Sequence, residues 1–241
     1  MQNGCVLVTG GSRGIGAAMV RKFRNEGENT VFTYCFSEKE AVTLEQETGA
    51  FGIRADSACR EDIEKAVSFA QEKYGFVRVL INNAARSVIN LFQNVADEEW
   101  EALRKVNLDA PLYYAKAVLP EMIARKQGVI LNMVSMWGEV GASCEVHYSV
   151  TKAALIGLTR SLAKEVGPSG IRVNALSPGV IDTQMNSRLS DADKKALEEE
   201  TPLGRMGTPE EVAECAFFLC SPQSRFITGQ VLDVNGGFVI G

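Results

Sequence analysis

The chain has 241 residues, 46% of them hydrophobic and 23% charged, with a formal net charge of -5. That length can bury a substantial core, and the acidic balance offers no basic footprint for nucleic acid. No apolar run approaches the ~18 residues that a membrane-crossing helix needs, so neither nucleic acid nor a membrane is an expected partner.

Met1-Gln2-Asn3-Gly4 leads straight into the apolar run 5–8, without the basic region or cleavage site of a secretory leader. A cytoplasmic protein is expected. Further short apolar runs, most of them solidly apolar, follow at 30–34, 50–53, 77–81, 128–134, 171–176 and 230–234. Amphipathic segments fall between them, near 14–26, 38–48, 60–74, 97–124, 147–166 and 209–220. Strands covered on both faces read as continuous apolar runs. Their alternation with helices predicts an α/β fold: one Rossmann-type domain over 1–241, a doubly wound parallel sheet of about seven strands with helices on both faces.

Two helix starts carry capping signals. Thr208-Pro209-Glu210-Glu211 combines a cap, a first-turn proline and a returning glutamate, and Ser37-Glu38-Lys39-Glu40 has the same form. The stretch 178–208 is the least regular. It holds a short predicted helix over 190–199 and reads either as a substrate lid or as a plain surface excursion. Six cysteines, at 5, 35, 59, 144, 215 and 220, include no Cys-x-x-Cys pair, which fits reduced thiols. His147 is the single histidine. A multi-histidine metal site is thereby excluded and no metal is expected, while a serine-histidine triad is disfavoured.

Two motifs carry chemistry. Thr9-Gly10-Gly11-Ser12-Arg13-Gly14-Ile15-Gly16 is a glycine turn entering a helix, a place for a dinucleotide pyrophosphate. Tyr148 and Lys152 are spaced i and i+4, so on a helix they share one face. A phenol with a reference pKa of about 10 is a poor proton carrier near neutrality; an adjacent ammonium would lower it. Together with Ser135, thirteen residues before Tyr148, the motifs read as hydride transfer coupled to proton transfer.

These residues resemble the short-chain dehydrogenase/reductase family over essentially the whole chain. Thr9-Gly10-x-x-x-Gly14-x-Gly16 looks like its cofactor turn, and Asn82-Asn83-Ala84-Ala85 like its motif after the fourth strand, where the last residue is usually glycine. If that backbone were left-handed, Ala85 would cost on the order of 1 kcal/mol. Asn107, Ser135, Tyr148 and Lys152 fall where the family places its catalytic tetrad. The resemblance implies that Tyr148 protonates a carbonyl oxygen as hydride arrives. Lys152 would lower the tyrosine pKa and hold the nicotinamide ribose, Ser135 would bind the developing oxyanion, and Asn107 would fix a water in the proton path. It further implies cofactor contacts from Gly10, Ser12, Arg13, Gly14, Ile15, Gly16, Asn83 and Ala84. Pro178, Gly179, Ile181 and Thr183 would meet the nicotinamide end, and Asp56 and Ser57 would lie by the adenine. A homotetramer built through the long middle helices is the family's common assembly.

The second predicted strand ends Thr33-Tyr34-Cys35-Phe36-Ser37, without the carboxylate that usually accepts from an NAD ribose. Arg13 could instead pair with a 2′-phosphate. Ser37 could join it, or cap its helix, or do both. NADPH/NADP+ is the expected cofactor.

Three functional readings remain open. The chain looks like the 3-oxoacyl-acyl-carrier-protein reductases of fatty acid biosynthesis, although Ser169 stands where such enzymes often carry an arginine for docking acyl carrier protein; Lys126 could be a docking cation. The stretch from Ser135 to Ser149 looks more like reductases of a 5-aminopentanone adduct on a lysine of elongation factor P. In that reading Glu145, or Glu139, would meet the substrate ammonium. A non-catalytic dinucleotide sensor is the third reading, and it would be expected to have lost the tyrosine or the lysine.

Overall fold

The computed structural model describes residues 4–184 and 190–240; the lead-in Met1-Gln2-Asn3 and residues 185–189 of the expected lid lie outside the described residues. Seven parallel strands form the centre of the fold. They are β1 (Cys5–Val8), β2 (Thr30–Tyr34), β3 (Phe51–Arg54), β4 (Val77–Asn82), β5 (Gly128–Met133), β6 (Ile171–Pro178) and β7 (Val231–Val234). Their order across the sheet is β3-β2-β1-β4-β5-β6-β7. The chain therefore starts in the middle, builds outward through β3, then crosses to β4 and builds the other way. The crevice at the β1/β4 switch point, at the carboxyl ends of the strands, is where such sheets place ligands.

The helices are α1 (Gly14–Asn25), α2 (Glu38–Thr48), α3 (Arg60–Tyr74), α4 (Asp97–Arg104), α5 (Ala110–Arg125), α6 (Trp137–Val140), α7 (Val146–Val166), α8 (Asp191–Glu200) and α9 (Pro209–Cys220). Alternate strand residues serve opposite faces. Val6 and Val8 pack with Met19, Val20, Phe23, Val212 and Leu219 under α1 and α9. Cys5 and Leu7 pack with Ile63, Val67, Tyr114, Val118 and Val166 under α3, α5 and α7. Both faces are covered at the centre of the sheet, which is why β1 is apolar and buried along its whole length, whereas the edge strands β3 and β7 are partly exposed.

Four details differ from the sequence reading. The segment expected as one helix over 97–124 contains a π-helical turn, Lys105–Asp109, between α4 and α5; such a turn inserts one extra residue into the helical register and frequently marks functional sites. The strand β6 runs on to Pro178, paired with Val234. Ser37 does not cap α2 through its side chain: its ψ of 62° is far from the extended backbone of a capping residue, and only its carbonyl engages the helix, accepting from the Ala41 N–H. Ala85 is not in the left-handed region, where the only described non-glycine residues are Lys126 and Cys144, so its methyl group carries no such cost. The capping box at α9 does form. The Thr208 hydroxyl accepts from the Glu211 N–H at 3.2 Å and the Glu211 carboxylate accepts from the Thr208 N–H at 2.9 Å. At α8, Ser190 caps in the same way through the Asp193 N–H.

Candidate active site

The glycine turn lies at the carboxyl end of β1, next to the switch point. Gly10, Gly11 and Ser12 lead out of the strand, Arg13 is the N-cap, and Gly14 and Ile15 open α1. Arg13 makes no side-chain cap bond and the first turn holds no acidic residue. The positive helix end is therefore left to an anion. Gly16 is demanded by close approach: a Cβ there would lie 2.2 Å from the Gly10 carbonyl oxygen and 2.7 Å from Asn83 Nδ2.

The adjoining strand end braces this turn. Asn83 Nδ2 donates to the Thr9 and Gly10 carbonyls at 2.9 and 3.0 Å, while Thr9 Oγ1 accepts from the Asn83 and Ala84 N–H groups at 2.9 and 3.0 Å. The motif alone does not reveal this work of Thr9, which follows from β1 lying beside β4 in the sheet. These contacts make the turn a rigid cradle suited to a pyrophosphate. On its outer side the Arg13 guanidinium is exposed and donates to Gln184 at 3.4 Å. Thr183 Cγ2 lies 3.6 Å from where a side chain on Gly14 would begin, so the segment leaving β6 passes over the turn. Ile181 pairs with Gly207 in an isolated parallel bridge, which ties the two ends of the irregular segment together.

Ser135, Tyr148, Lys152 and Asn107 gather on the other side of the switch point, beyond β4 and β5. Ser135 follows β5 and is buried, with its hydroxyl accepting from the Trp137 N–H at 3.2 Å. Tyr148 and Lys152 occupy the first turns of α7, with Lys152 Nζ 5.5 Å from the Tyr148 ring centre. Gly138 of α6 sets the approach of the serine segment to α7, because a Cβ there would meet Lys152 Cβ at 2.8 Å. Asn107, wholly buried in the π turn, accepts from the Arg86 N–H at 2.8 Å and donates to the Arg86 carbonyl at 2.9 Å. It also donates to Thr151 Oγ1, which in turn donates to the Tyr148 carbonyl at 2.8 Å. The extra residue of the π turn thus places an amide against the backbone of the tyrosine helix.

The expected lowering of the phenol pKa is not seen in this arrangement. Burial, then the Glu145 carboxylate, push Tyr148 up to about 12, and Ser135 is the one influence pulling it down. Lys152 aims its ammonium elsewhere, donating to the Met133 carbonyl at 2.7 Å, and burial lowers it to about 8. This shift has a consequence for stability. Between about 8 and the unfolded value of 10.5 the unfolded chain binds more protons, so the cost of burying the charged amine fades as pH rises through that window. Lys152→Met should thus be relatively more stable below pH 8, and that advantage should shrink by on the order of 3 kcal/mol by pH 10.5. Urea unfolding of both proteins at the two pH values measures it, and a constant difference would contradict it.

The two glutamates between Ser135 and Tyr148 part company. Glu139 turns to β6 and β7, accepting from Ser177 Oγ at 2.5 Å, and burial together with Asp233 pushes its carboxyl up. Glu145 accepts from Ser87 Oγ at 2.5 Å and lies close enough to Tyr148 to raise its phenol. Of the remaining predicted positions, Asp56 is exposed and accepts from the Ala58 N–H at 2.9 Å, Ser57 is buried beside it, and Ser37 is half-buried. Pro178 ends β6 and Gly179 packs on Asn235. Among the described residues no group of three or more His, Cys, Asp or Glu is placed to hold a metal ion, and no helix is long and apolar enough to cross a membrane.

A family model described as enoyl-(acyl carrier protein) reductase matches residues 10–239. The 3-oxoacyl-[acyl-carrier-protein] reductase FabG of Aquifex aeolicus is 38% identical over 242 residues, covering 98% of each chain. The uncharacterized oxidoreductase YmfI of Bacillus subtilis is 35% identical over 98% of this chain and 99% of its own. Among solved structures, a short-chain dehydrogenase/reductase of Brucella melitensis, named glucose/ribitol dehydrogenase, is 32% identical with a TM-score of 0.93, over 100% of this chain and 98% of its own. A blue fluorescent protein from a metagenomic library, solved in complex with NADPH, is 34% identical with a TM-score of 0.93, over 99% of this chain and all of its own.

Proposed function

This chain belongs to the short-chain dehydrogenase/reductase family of carbonyl- and hydroxyl-directed oxidoreductases, and from that premise we propose an NADPH-dependent ketone reductase of the 3-oxoacyl-acyl-carrier-protein type. The observation that carries the proposal is the convergence of Ser135, Tyr148 and Lys152 across the switch point from an uncapped, acid-free helix start. NADPH would supply the hydride. The cradle of Gly10, Ser12, Arg13, Gly14, Ile15 and Gly16 would hold its pyrophosphate, with Asn83 and Ala84 alongside. Pro178, Gly179, Ile181 and Thr183 would flank the nicotinamide end, and Asp56 and Ser57 the adenine end. Arg13 and the Ser37 hydroxyl, which makes no helix-cap bond, would take the 2′-phosphate.

Ser135 donates to the substrate carbonyl oxygen as charge develops there. Tyr148 then gives that oxygen its proton. A phenol held neutral is the form this direction needs, and an alkoxide is a stronger base than the phenolate left behind. Lys152 anchors at Met133 and holds the ribose hydroxyls, while Asn107 positions the tyrosine helix through Thr151. Residues 178–208 act as a lid, its ends tied at Ile181 and Gly207. Offering acetoacetyl thioesters and simple ketones while following NADPH absorbance tests the reading. Turnover is expected, whereas cofactor binding without oxidation of NADPH by any ketone would favour a sensor.

Glu145 favours a second substrate class. An acyl chain gives a half-buried carboxylate nothing to pair with, whereas a ketone carrying an ammonium, as in an aminopentanone adduct on elongation factor P, would meet it in a charge-assisted bond. Glu145→Gln should impair an amino ketone several-fold and spare an acetoacetyl thioester. It should also move the alkaline limb of the pH-rate profile downward, because removing the carboxylate lets the phenol ionise more easily. Equal effects on both substrates would leave the carrier-protein reading alone.

The assembly proposed is a homotetramer. Of the apolar residues on the long helices, Ala115, Val118 and Leu155 are spent on the core, and Leu158 and Leu162 pack partly against it. Leu112, Tyr113, Ile123, Val146 and Val150 remain exposed on α5 and α7 for a partner. Light scattering at micromolar concentration should give four times the 26.2 kDa chain mass; a monomer would refute the assembly.

A further inference from the structure

The carboxyl end of β2 carries an aromatic residue that the fold leaves standing in solvent. Phe32 and Tyr34 of the same strand pack together with ring centres 6.5 Å apart. Phe36, two residues beyond the strand end, is 89% exposed. Its position distinguishes it from Phe226 or Ile240, the other most exposed apolar residues. The strand β2 lies between β1, whose end is the glycine turn, and β3, whose end leads to Asp56 and Ser57. The three strand ends are tied side by side: Gly11 N–H donates to the Thr33 carbonyl at 2.9 Å, and Ala55 N–H donates to the Tyr34 carbonyl at 2.8 Å. Burial and then the Asp56 carboxylate raise the Cys35 thiol, which places the Asp56 loop beside the residue preceding Phe36.

A dinucleotide whose pyrophosphate rested on α1 would lay one half toward β4 and β5, where Ser135 and Tyr148 stand, and the other half across β2 toward β3. Phe36 rises at that crossing, and the chain offers it no partner ring in the described structure. A flat heterocycle is the ligand an isolated aromatic face suits, since base–aromatic stacking is favourable and tolerant of base identity.

We infer that Phe36 is the platform on which the adenine ring of the cofactor stacks, so that it governs affinity for the adenosine half and not for the reacting half. The inference rests on the dinucleotide reading above and deepens it. It also separates two tasks at one rim: Arg13 reads the 2′-phosphate, which only NADPH carries, whereas Phe36 reads the base, which NADPH and NADH share.

Direct binding tests it, by the change in nicotinamide or protein fluorescence, with NADPH, NADH and reduced nicotinamide mononucleotide as probes. Phe36→Ala should weaken NADPH and NADH by the same factor, about tenfold, and leave the mononucleotide, which lacks adenine, unchanged. Phe36→Trp should restore both dinucleotides. Unchanged dinucleotide affinity in Phe36→Ala would overturn the platform while leaving the cofactor reading intact. Equal weakening of the mononucleotide would overturn it too, by showing a general disturbance of the site. Failure of the unsubstituted protein to bind any dinucleotide would overturn the inference together with the reading beneath it.

Discussion

Tyr148→Phe should lower kcat by about 10²- to 10⁴-fold while NADPH binds nearly as well as to the unsubstituted protein. The phenol hydroxyl is the only part removed, and its proposed work is to deliver a proton to the carbonyl oxygen. The ring that packs at the head of α7 is kept, and so is Lys152 with its bond to Met133. Lys152→Ala provides the contrast: it strips away the cation proposed to hold the ribose beside the phenol, so affinity and rate should fall together. Cofactor titration by fluorescence and steady-state kinetics on both variants separate the two roles. Near-unchanged turnover in Tyr148→Phe would remove the phenol from the chemistry.

Arg13→Ala should raise the Michaelis constant for NADPH by roughly 10- to 100-fold, as loss of a charge-assisted bond worth about 1.5–3 kcal/mol requires. The constant for NADH should hardly move. Arg13 is exposed at the N-cap of α1, and among the described residues its guanidinium meets Gln184 at 3.4 Å. Such a side chain can turn to a 2′-phosphate without leaving a buried group unpaired. The residues that follow β2, Cys35, Phe36 and Ser37, themselves carry no carboxylate. Equal losses for both cofactors would show that Arg13 supports the turn and does not read the phosphate.

The layered fold was legible because its central strands are buried on both faces. The all-apolar run of β1 and the buried length of β5 leave few alternatives to a covered parallel sheet. The i, i+4 pair Tyr148/Lys152 was equally legible, since helical geometry alone puts the two on one face. The π turn at Lys105–Asp109 was not, because a one-residue insertion into a continuous helical pattern changes no periodicity that a sequence displays. Ser37 misled for a related reason: a capping box is a local pattern, and the bend leaving β2 takes the residue to ψ 62°, where the cap bond cannot form. Nor could spacing tell Glu139 from Glu145. One turns to Ser177 and Asp233 and the other to Ser87 and Tyr148 only once α6 and the loop after β4 have folded.

In the proposed reaction hydride passes from a nicotinamide to a ketone carbon, and the proton comes from the protein. Reduction of an acetoacetyl thioester with NADPH deuterated at the transferable C4 position tests it most directly, with the product alcohol read by mass spectrometry. One deuterium at the new carbinol carbon is the predicted result, and the Tyr148→Phe variant should form that product far more slowly. An alcohol without label would rule out that transfer, as would the absence of product from this and every other ketone offered.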